Sequence, residues 1–242
     1  MPTKCQAWDL DSNYMVKIPY VINQRGEREP LSLNKVFRAA KRVGASNKLA
    51  REIADEIGNK AVDGIRTSDI FKQVRRLLNK QTPTAAMKFS LKEAMRKMGP
   101  TGFHFEKFMA SVYKKAGYEV KINQIVPGKC INDYEIDFIG RKNNSLKIGE
   151  CKYRNKPGDK VALTVALANH ARFLDIEKGR FLKQSSFQAF SVKSVLTTNA
   201  KFSSHAIQYS KCMNVELLGW KYPSNKGLEV LIDKHQLYPI TI

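Results

Sequence analysis

Asp137 and the pair Glu150 and Lys152 are the residues of this chain whose types and spacing suit hydrolytic chemistry. Asp137 stands in the β-rich run YEIDFIG, and thirteen residues later Glu150-Cys151-Lys152 falls near the end of a second such run, LKIGECKY. Residues i and i+2 of a strand face the same way, so a carboxylate and an ammonium project into one site. If the two runs pair as a hairpin, Asp137 lies beside Glu150. Adjacent carboxylates repel, and a divalent cation removes that penalty. Hard oxygen ligands suit Mg²⁺ or Mn²⁺, which keep several waters and share a phosphate oxygen. The expected metal ligands are therefore Asp137 and Glu150. Lys152 would orient or deprotonate an attacking water, or neutralise charge in the transition state. Glu106, on the helix that opens this half, would complete the shell directly or through water.

Glu-x-Lys by itself is common and usually a solvated surface pair. The context differs here. Asp137 is flanked by Ile136, Phe138 and Ile139, and Glu150 by Ile148, Gly149 and Cys151. Such strands are expected to be substantially buried, where an unpaired carboxylate is costly. Neighbouring buried acids mark functional sites, although structural ion pairs produce the same pattern.

These groups need elements to position them. FHFEKFMASVYKKAG reads as a helix with Phe105, Phe108, Met109 and Val112 on one side. YEVKIN, YEIDFIG and LKIGECKY read as strands, joined at Pro127-Gly128 and at Lys142-Asn143-Asn144. A helix (VALTVALANHARFLDI), a strand (SVKSVLTTN), a helix (SSHAIQYSKCM) and a strand (VELLGWKY) follow. The order αβββαβαβ predicts a mixed β-sheet flanked by helices. Upstream the pattern is different. VKIPYVI and NQRGERE give two short strands and a turn, and LNKVFRAAKRVG a helix ending at Gly44. SNKLAREIADEIGNKAV carries Leu49, Ile53, Ile57 and Val62 at roughly helical spacing. Thr67 or Ser68 can cap a third helix striped by Ile70, Val74, Leu77 and Leu78, and Thr82 precedes a fourth that closes at Gly99-Pro100. The fold class expected is thus α/β with two domains. An extension over 1–15 leads into a β-hairpin plus small helical bundle over 16–98, then the mixed sheet over 100–242.

GFHFEKFMASVYKKAGYEV, YEIDFIG, GECKYR and VLTTNAKFSSHAIQYSKCMNVELLGW together resemble the PD-(D/E)XK nuclease superfamily, in particular its Mrr-like restriction endonuclease group. The resemblance implies a restriction-endonuclease-like fold, Mg²⁺-dependent hydrolysis of DNA and catalytic roles for Asp137, Glu150 and Lys152, with Glu106 as the helix-borne acid. The motif's Pro-Asp is relaxed to Ile136-Asp137. Many members carry a Gln on the helix after the Lys, where this chain offers Asn169, His170 and Arg172. His170 and Arg172 are expected to face DNA, His170 alternatively to be structural. Arg154, Lys156 and Lys160 follow the site closely, either holding flanking phosphates or forming an ordinary basic loop.

Residues 16–98 resemble an ATP-cone, through YVINQRGEREPLSLNKVFRAA and IRTSDIFKQVRRLLNKQTPTAAMKFSL. The resemblance implies ATP or dATP as a regulatory ligand, with Glu29, Lys35 and Thr67 at nucleotide-contacting positions. The family's Lys-Arg pair before the turn is replaced by Asn23-Gln24, leaving Arg25 as a partial substitute. Losing two phosphate-directed cations weakens charge-assisted binding.

The charge balance fits a polyanionic partner. Residues 1–99 carry 20 Lys/Arg against 10 Asp/Glu, and residues 100–242 carry 22 against 12, so both halves contribute to the net +20. DNA relieves such self-repulsion. An anionic membrane surface fits less well, because no strongly basic amphipathic helix with a Trp/Phe face is evident. Cys5, Cys130, Cys151 and Cys212 lie far apart with no CxxC pair, which argues against a zinc ribbon or disulfide framework. With no apolar leader core at the N-terminus, a cytoplasmic setting is expected. Cutting both strands of DNA takes two sites, which points to a homodimer. Two alternatives stay open: a non-cleaving DNA-binding or regulatory protein on a nuclease fold, and a structure-selective, junction-type nuclease.

Overall fold

Short β-segments and punctuated helices build two units, with the seam after Ala86. The computed structural model describes residues 18–99, 102–184, 187 and 189–239; the extension expected over 1–15 lies outside them. In the first unit, β1 (Tyr20–Ile22) pairs antiparallel with β2 (Arg28–Pro30) and parallel with β3 (Ile65–Arg66). Asn23 builds the β1–β2 turn, its Oδ1 accepting from the backbone N–H groups of Arg25 and Glu27. α1 (Leu33–Arg42) and α2 (Asn47–Lys60) start at Ser32 and Ser46, whose hydroxyls accept from Lys35 N and Leu49 N. α3 (Thr67–Gln81) buries Ile70, Val74, Leu77 and Leu78 as its spacing predicts.

Three details differ from the sequence reading. The hairpin gains a third strand, β3, which at two residues is too short to show a period. Val62 is exposed rather than part of the α2 stripe, because α2 ends at Lys60 and Ala61 is extended. The residue capping α3 is Arg66, with no side-chain cap bond, so neither Thr67 nor Ser68 does this job.

α4 (Pro83–Arg96) crosses the seam. Its second half carries Leu91 and Met95 into the core of the second unit, which therefore begins ahead of the Met98–Gly102 punctuation. α5 (Phe103–Lys115) leads into β4 (Glu119–Val126), β5 (Tyr134–Lys142) and β6 (Ser145–Lys152), an antiparallel meander. β7 (Lys160–Val161) and α6 (Leu163–Lys178) connect to β8 (Ser191–Thr198), parallel to β6. β9 (Lys201–Phe202) and α7 (Ser204–Cys212) connect to β10 (Glu216–Leu218), parallel to β8. The sheet order is β10-β8-β6-β5-β4, with β7 and β9 forming a separate two-stranded ribbon.

Strand alternation sorts the side chains into two cores. Phe138, Cys151, Val195 and Leu218 pack with α4, α5 and a terminal helix, α8 (Leu228–His235). Ile136, Ile139, Leu146 and Ile148 pack under Phe173 and Ile176 of α6, and Leu196 and Leu217 under α6 and α7. The mixed sheet flanked by helices is therefore present. The ribbon and α8 are additions; the ribbon's strands are too short to read, and α8 presents Leu228 and Ile232 in a single buried pair. Among the described residues no helix is long and apolar enough to cross a membrane.

Gly149 lies opposite Phe138 in the β5–β6 register, and a Cβ there would lie 2.1 Å from the Phe138 ring. Phe138 is fully buried and cannot yield. Gly149→Ala is expected to cost about 3 kcal/mol through overpacking, read as a fall in the urea midpoint. An unchanged midpoint would remove this ring from the core that holds the two strands together.

Candidate active site

The β5–β6 ladder runs from Lys142 opposite Ser145 to Phe138 opposite Gly149 and stops there. Continuing the same register puts Asp137 opposite Glu150 and Ile136 opposite Cys151. In place of a backbone pair, the Cys151 N–H donates to Asp137 Oδ2 at 2.6 Å. On the other side of β5 the β4 pairing skips Asn123, whose φ of 51° is left-handed, at the position facing Asp137. Regular alternation fails around this point: Ile136 and Ile139 both pack under α6 while Phe138 packs against α5. Such ladder breaks re-aim side chains.

Glu150, seven-hundredths exposed at its side chain, is held at both carboxylate oxygens. Lys152 Nζ lies 2.5 Å from Oε1, the i and i+2 alternation having put both groups on one face. Arg172 Nη1 of α6 donates to Oε2 at 2.5 Å. Behind the pair, Asn169 Nδ2 donates to Ser194 Oγ at 2.9 Å, and Glu150, Asn169, Arg172 and Ser194 share one small cleft. Glu106 stands in the first turn of α5, its Oε1 close over Gly102.

These acids feel one another. Burial, then the charge of Glu150, pushes the Asp137 carboxyl up to about 7, with Glu106 adding to the rise and Cys151 N–H and Lys152 opposing it. Glu106 is likewise raised by burial and then by Glu135 and Glu150, against Lys152. Asp137, Glu150, Glu106 and Lys152 thus act on one another through their charges. Among the described residues, however, no three His, Cys, Asp or Glu side chains are gathered to hold a metal ion. The Glu150 carboxylate is occupied by Lys152 and Arg172.

The flanking candidates separate. Lys156 and Lys160 are exposed, while Arg154 is half-buried, its N–H donating to Asn199 Oδ1 and its Nη1 to Tyr153 O. His170 takes the structural alternative: it is 5% exposed and its Nδ1 meets Tyr209 Oη at 2.7 Å, in the packing between α6 and α7. Arg172, expected at DNA, is engaged inside the site by Glu150. Sequence spacing carried no signal for that pairing, because it joins a strand to a helix 22 residues away. In the first unit, Glu29 accepts from Asn23 Nδ2 and lies 3.3 Å from Lys35 Nζ. The Asn23 hydrogen bond and then Lys35 hold the Glu29 carboxyl below its usual range. Arg25 is exposed and Thr67 opens α3.

No family model matches the chain. An uncharacterised protein of Archaeoglobus fulgidus is 39% identical over 134 residues, a match spanning 55% of this chain and 70% of that protein. The chain belongs to the same family. The crystal structure of AF1548, a protein of unknown function, is similar at 34% identity and a TM-score of 0.51, over 59% of this chain and 71% of that one. A weaker likeness, at 13% identity and a TM-score of 0.41, is to the MspJI restriction endonuclease in complex with a 27-mer oligonucleotide, covering 80% of this chain and 41% of that one. Family membership thus brings no stated reaction with it, and the chemistry has to be argued from the site.

Asp137→Asn keeps an oxygen for the Cys151 N–H and removes the charge. The folded carboxyl holds its proton up to about pH 7, whereas an unfolded one releases it near 3.8. The folded state therefore binds more protons across that window, and wild-type stability falls as pH rises through it. The variant is expected to flatten this stretch and to be more stable near pH 8 by roughly 1–2 kcal/mol, allowing for partial exposure. Melting curves in chelator at about pH 5 and pH 8 check this. Identical pH slopes in the two proteins would mean that Asp137 is not the buried acid.

Proposed function

We propose that this chain is a metal-dependent DNA endonuclease with its active site at Asp137, Glu150, Lys152 and Glu106, and that the N-terminal unit is an ATP-cone-like module that regulates or dimerises it. One observation carries the reading: a half-buried carboxyl, Asp137, is fixed at a break in the sheet within electrostatic reach of two further acids and a lysine. Folding pays for burying an acid there, and a divalent cation is the partner that would turn this cost into binding.

The donor type suits Mg²⁺ or Mn²⁺, being carboxylate oxygen, and Glu150 would exchange Lys152 or Arg172 for the ion on binding. Asp137 and Glu150 would hold the ion, with Glu106 within electrostatic reach. When bound, such an ion polarises a phosphate and lowers the pKa of water. The protein's own groups supply the rest. The Cys151 N–H fixes Asp137 Oδ2, and Arg172 fixes Glu150 Oε2, so neither carboxylate is free to rotate. Lys152, at the mouth of the site and about one-third exposed, can donate to a phosphate oxygen as negative charge grows on it. Asp137 is ionised above about pH 7, where phosphodiester cleavage by an activated water is expected to rise.

A second reading, a DNA-binding protein that does not cleave, is favoured by the closed Glu150–Lys152–Arg172 set, which leaves no carboxylate oxygen of Glu150 unpaired. Plasmid nicking separates the two. Wild type with Mg²⁺ or Mn²⁺ is expected to nick supercoiled DNA, and Asp137→Ala and Lys152→Ala to lose about 10²–10³-fold. Equal nicking by all three proteins would sink the site, and DNA binding without product under any divalent ion would establish the second reading. Faster cleavage of four-way junctions than of linear duplex would mark a junction-type enzyme. For the N-terminal module, ATP and dATP are expected to raise the melting temperature of the full chain. No shift at millimolar ligand counts against a nucleotide sensor.

A further inference from the structure

The β7–β9 ribbon pairs Lys160 directly opposite Lys201, and Val161 opposite Phe202. Val161 and Phe202 are buried at 0% and 6%, so the two lysines share the outer face. Like charges directly opposite one another destabilise a strand pair, and a ribbon of two residues per strand has little to offset them. More cations crowd the same place. The Lys92 ammonium of α4 lies 6.0 Å from the centre of the Trp220 ring. Trp220 N donates to Ala200 O at 2.9 Å, beside Lys201. Burial and then the charges of Lys201, Arg96 and Lys221 lower the pKa of Lys92, opposed by Glu229. Glu229 itself lies 3.7 Å from Lys221.

Hydrogen bonds also tie α4 to the turn that precedes Lys201. Asn199 Nδ2 donates to Met95 O of α4 and to Arg154 O, and Asn199 Oδ1 accepts from Arg154 N. Tyr153 Oη donates to Arg96 O at 2.5 Å. The end of α4, the turn after β8 and the segment that leaves Lys152 thus meet at one point, adjoining the candidate active site. Cations from four segments, α4, β7, β9 and the turn after β10, are thus placed in one region, which an extended anion would complement. Lysines are strongly hydrated point charges and bind phosphate without reading bases. The charges are spread along a face rather than converging on one pocket, which suits a phosphodiester backbone better than a free nucleotide.

We propose that the face carrying Lys92, Lys160, Lys201 and Lys221 seats backbone phosphates of duplex DNA running on from the scissile bond. The last clause rests on the nuclease reading; the binding itself does not. Anisotropy of a labelled duplex, measured in chelator over a range of salt, tests it without any cleavage. Lys160→Ala/Lys201→Ala and Lys92→Ala/Lys221→Ala are each expected to weaken binding at least tenfold near 0.1 M salt and to reduce the salt slope by about 2, whatever the DNA sequence. Lys114→Ala/Lys115→Ala, at the far end of α5, should bind as wild type. Melting temperatures of the first pair should hold or rise, since their repulsion is gone. Unchanged affinity and slope in both test pairs, an equal loss in the control, or a wild type that ignores duplex DNA at low salt overturns the proposal. Binding through this face without nicking would fail the nuclease reading alone, and nicking with the lysine pairs indifferent would fail this one alone.

Discussion

A carboxylate that stands where a strand ladder would continue governs the C-terminal unit. Because Cys151 N–H is given to Asp137 Oδ2, β5 and β6 part company beyond the Phe138–Gly149 pair, and a wedge opens between strands that are otherwise close-paired. A backbone donor that lost its ladder partner without replacement would leave a buried N–H unsatisfied, which proteins rarely tolerate. The Asp137 side chain supplies the replacement, and in doing so is itself fixed inside the sheet. Burial and the charge of Glu150 raise the carboxyl so held, against the Cys151 N–H, which opposes the rise.

Charge near Glu150 is arranged on the same principle. A nearly buried carboxylate costs several kcal/mol of desolvation unless cations and hydrogen bonds compensate. Lys152 and Arg172 do so from two different elements, which leaves the Glu150 set with one more positive than negative charge. Glu150 alone is therefore more than neutralised, while Asp137 and Glu106 add acid to the same neighbourhood. Arg172 is consequently tied to the strand end that carries Glu150.

Much of this was legible in the sequence, and what was not has a physical cause. Period-two alternation predicted that Glu150 and Lys152 share a face, and the flanking apolar residues predicted burial, because both follow from one strand considered alone. The pairing of β5 with β6 was legible from the turn at Lys142-Asn143-Asn144, where Asn143 takes the left-handed conformation that a tight connection uses. Left out were the features that depend on two elements at once: Arg172 on Glu150, Asn199 bridging α4 to Arg154, and His170 turned to Tyr209. Two-residue strands also escaped, since β3, β7 and β9 give no period to detect. The passage of α4 into the second core was hidden behind the stronger punctuation at Gly99-Pro100.

The cross-strand register explains why net charge alone understated the case for a polyanion. A surplus of cations scattered over a surface is screened within about a Debye length and needs no partner. Lys160 opposite Lys201 is different, because the register sets the two lysines side by side, and hydrogen bonds through Asn199 and Tyr153 tie α4 to the neighbouring turn and segment. The same bonds attach that spot to the segment leaving Lys152. The lysine-bearing ribbon and the end of α4 are thus tied through the backbone to the strand end that carries Glu150 and Lys152.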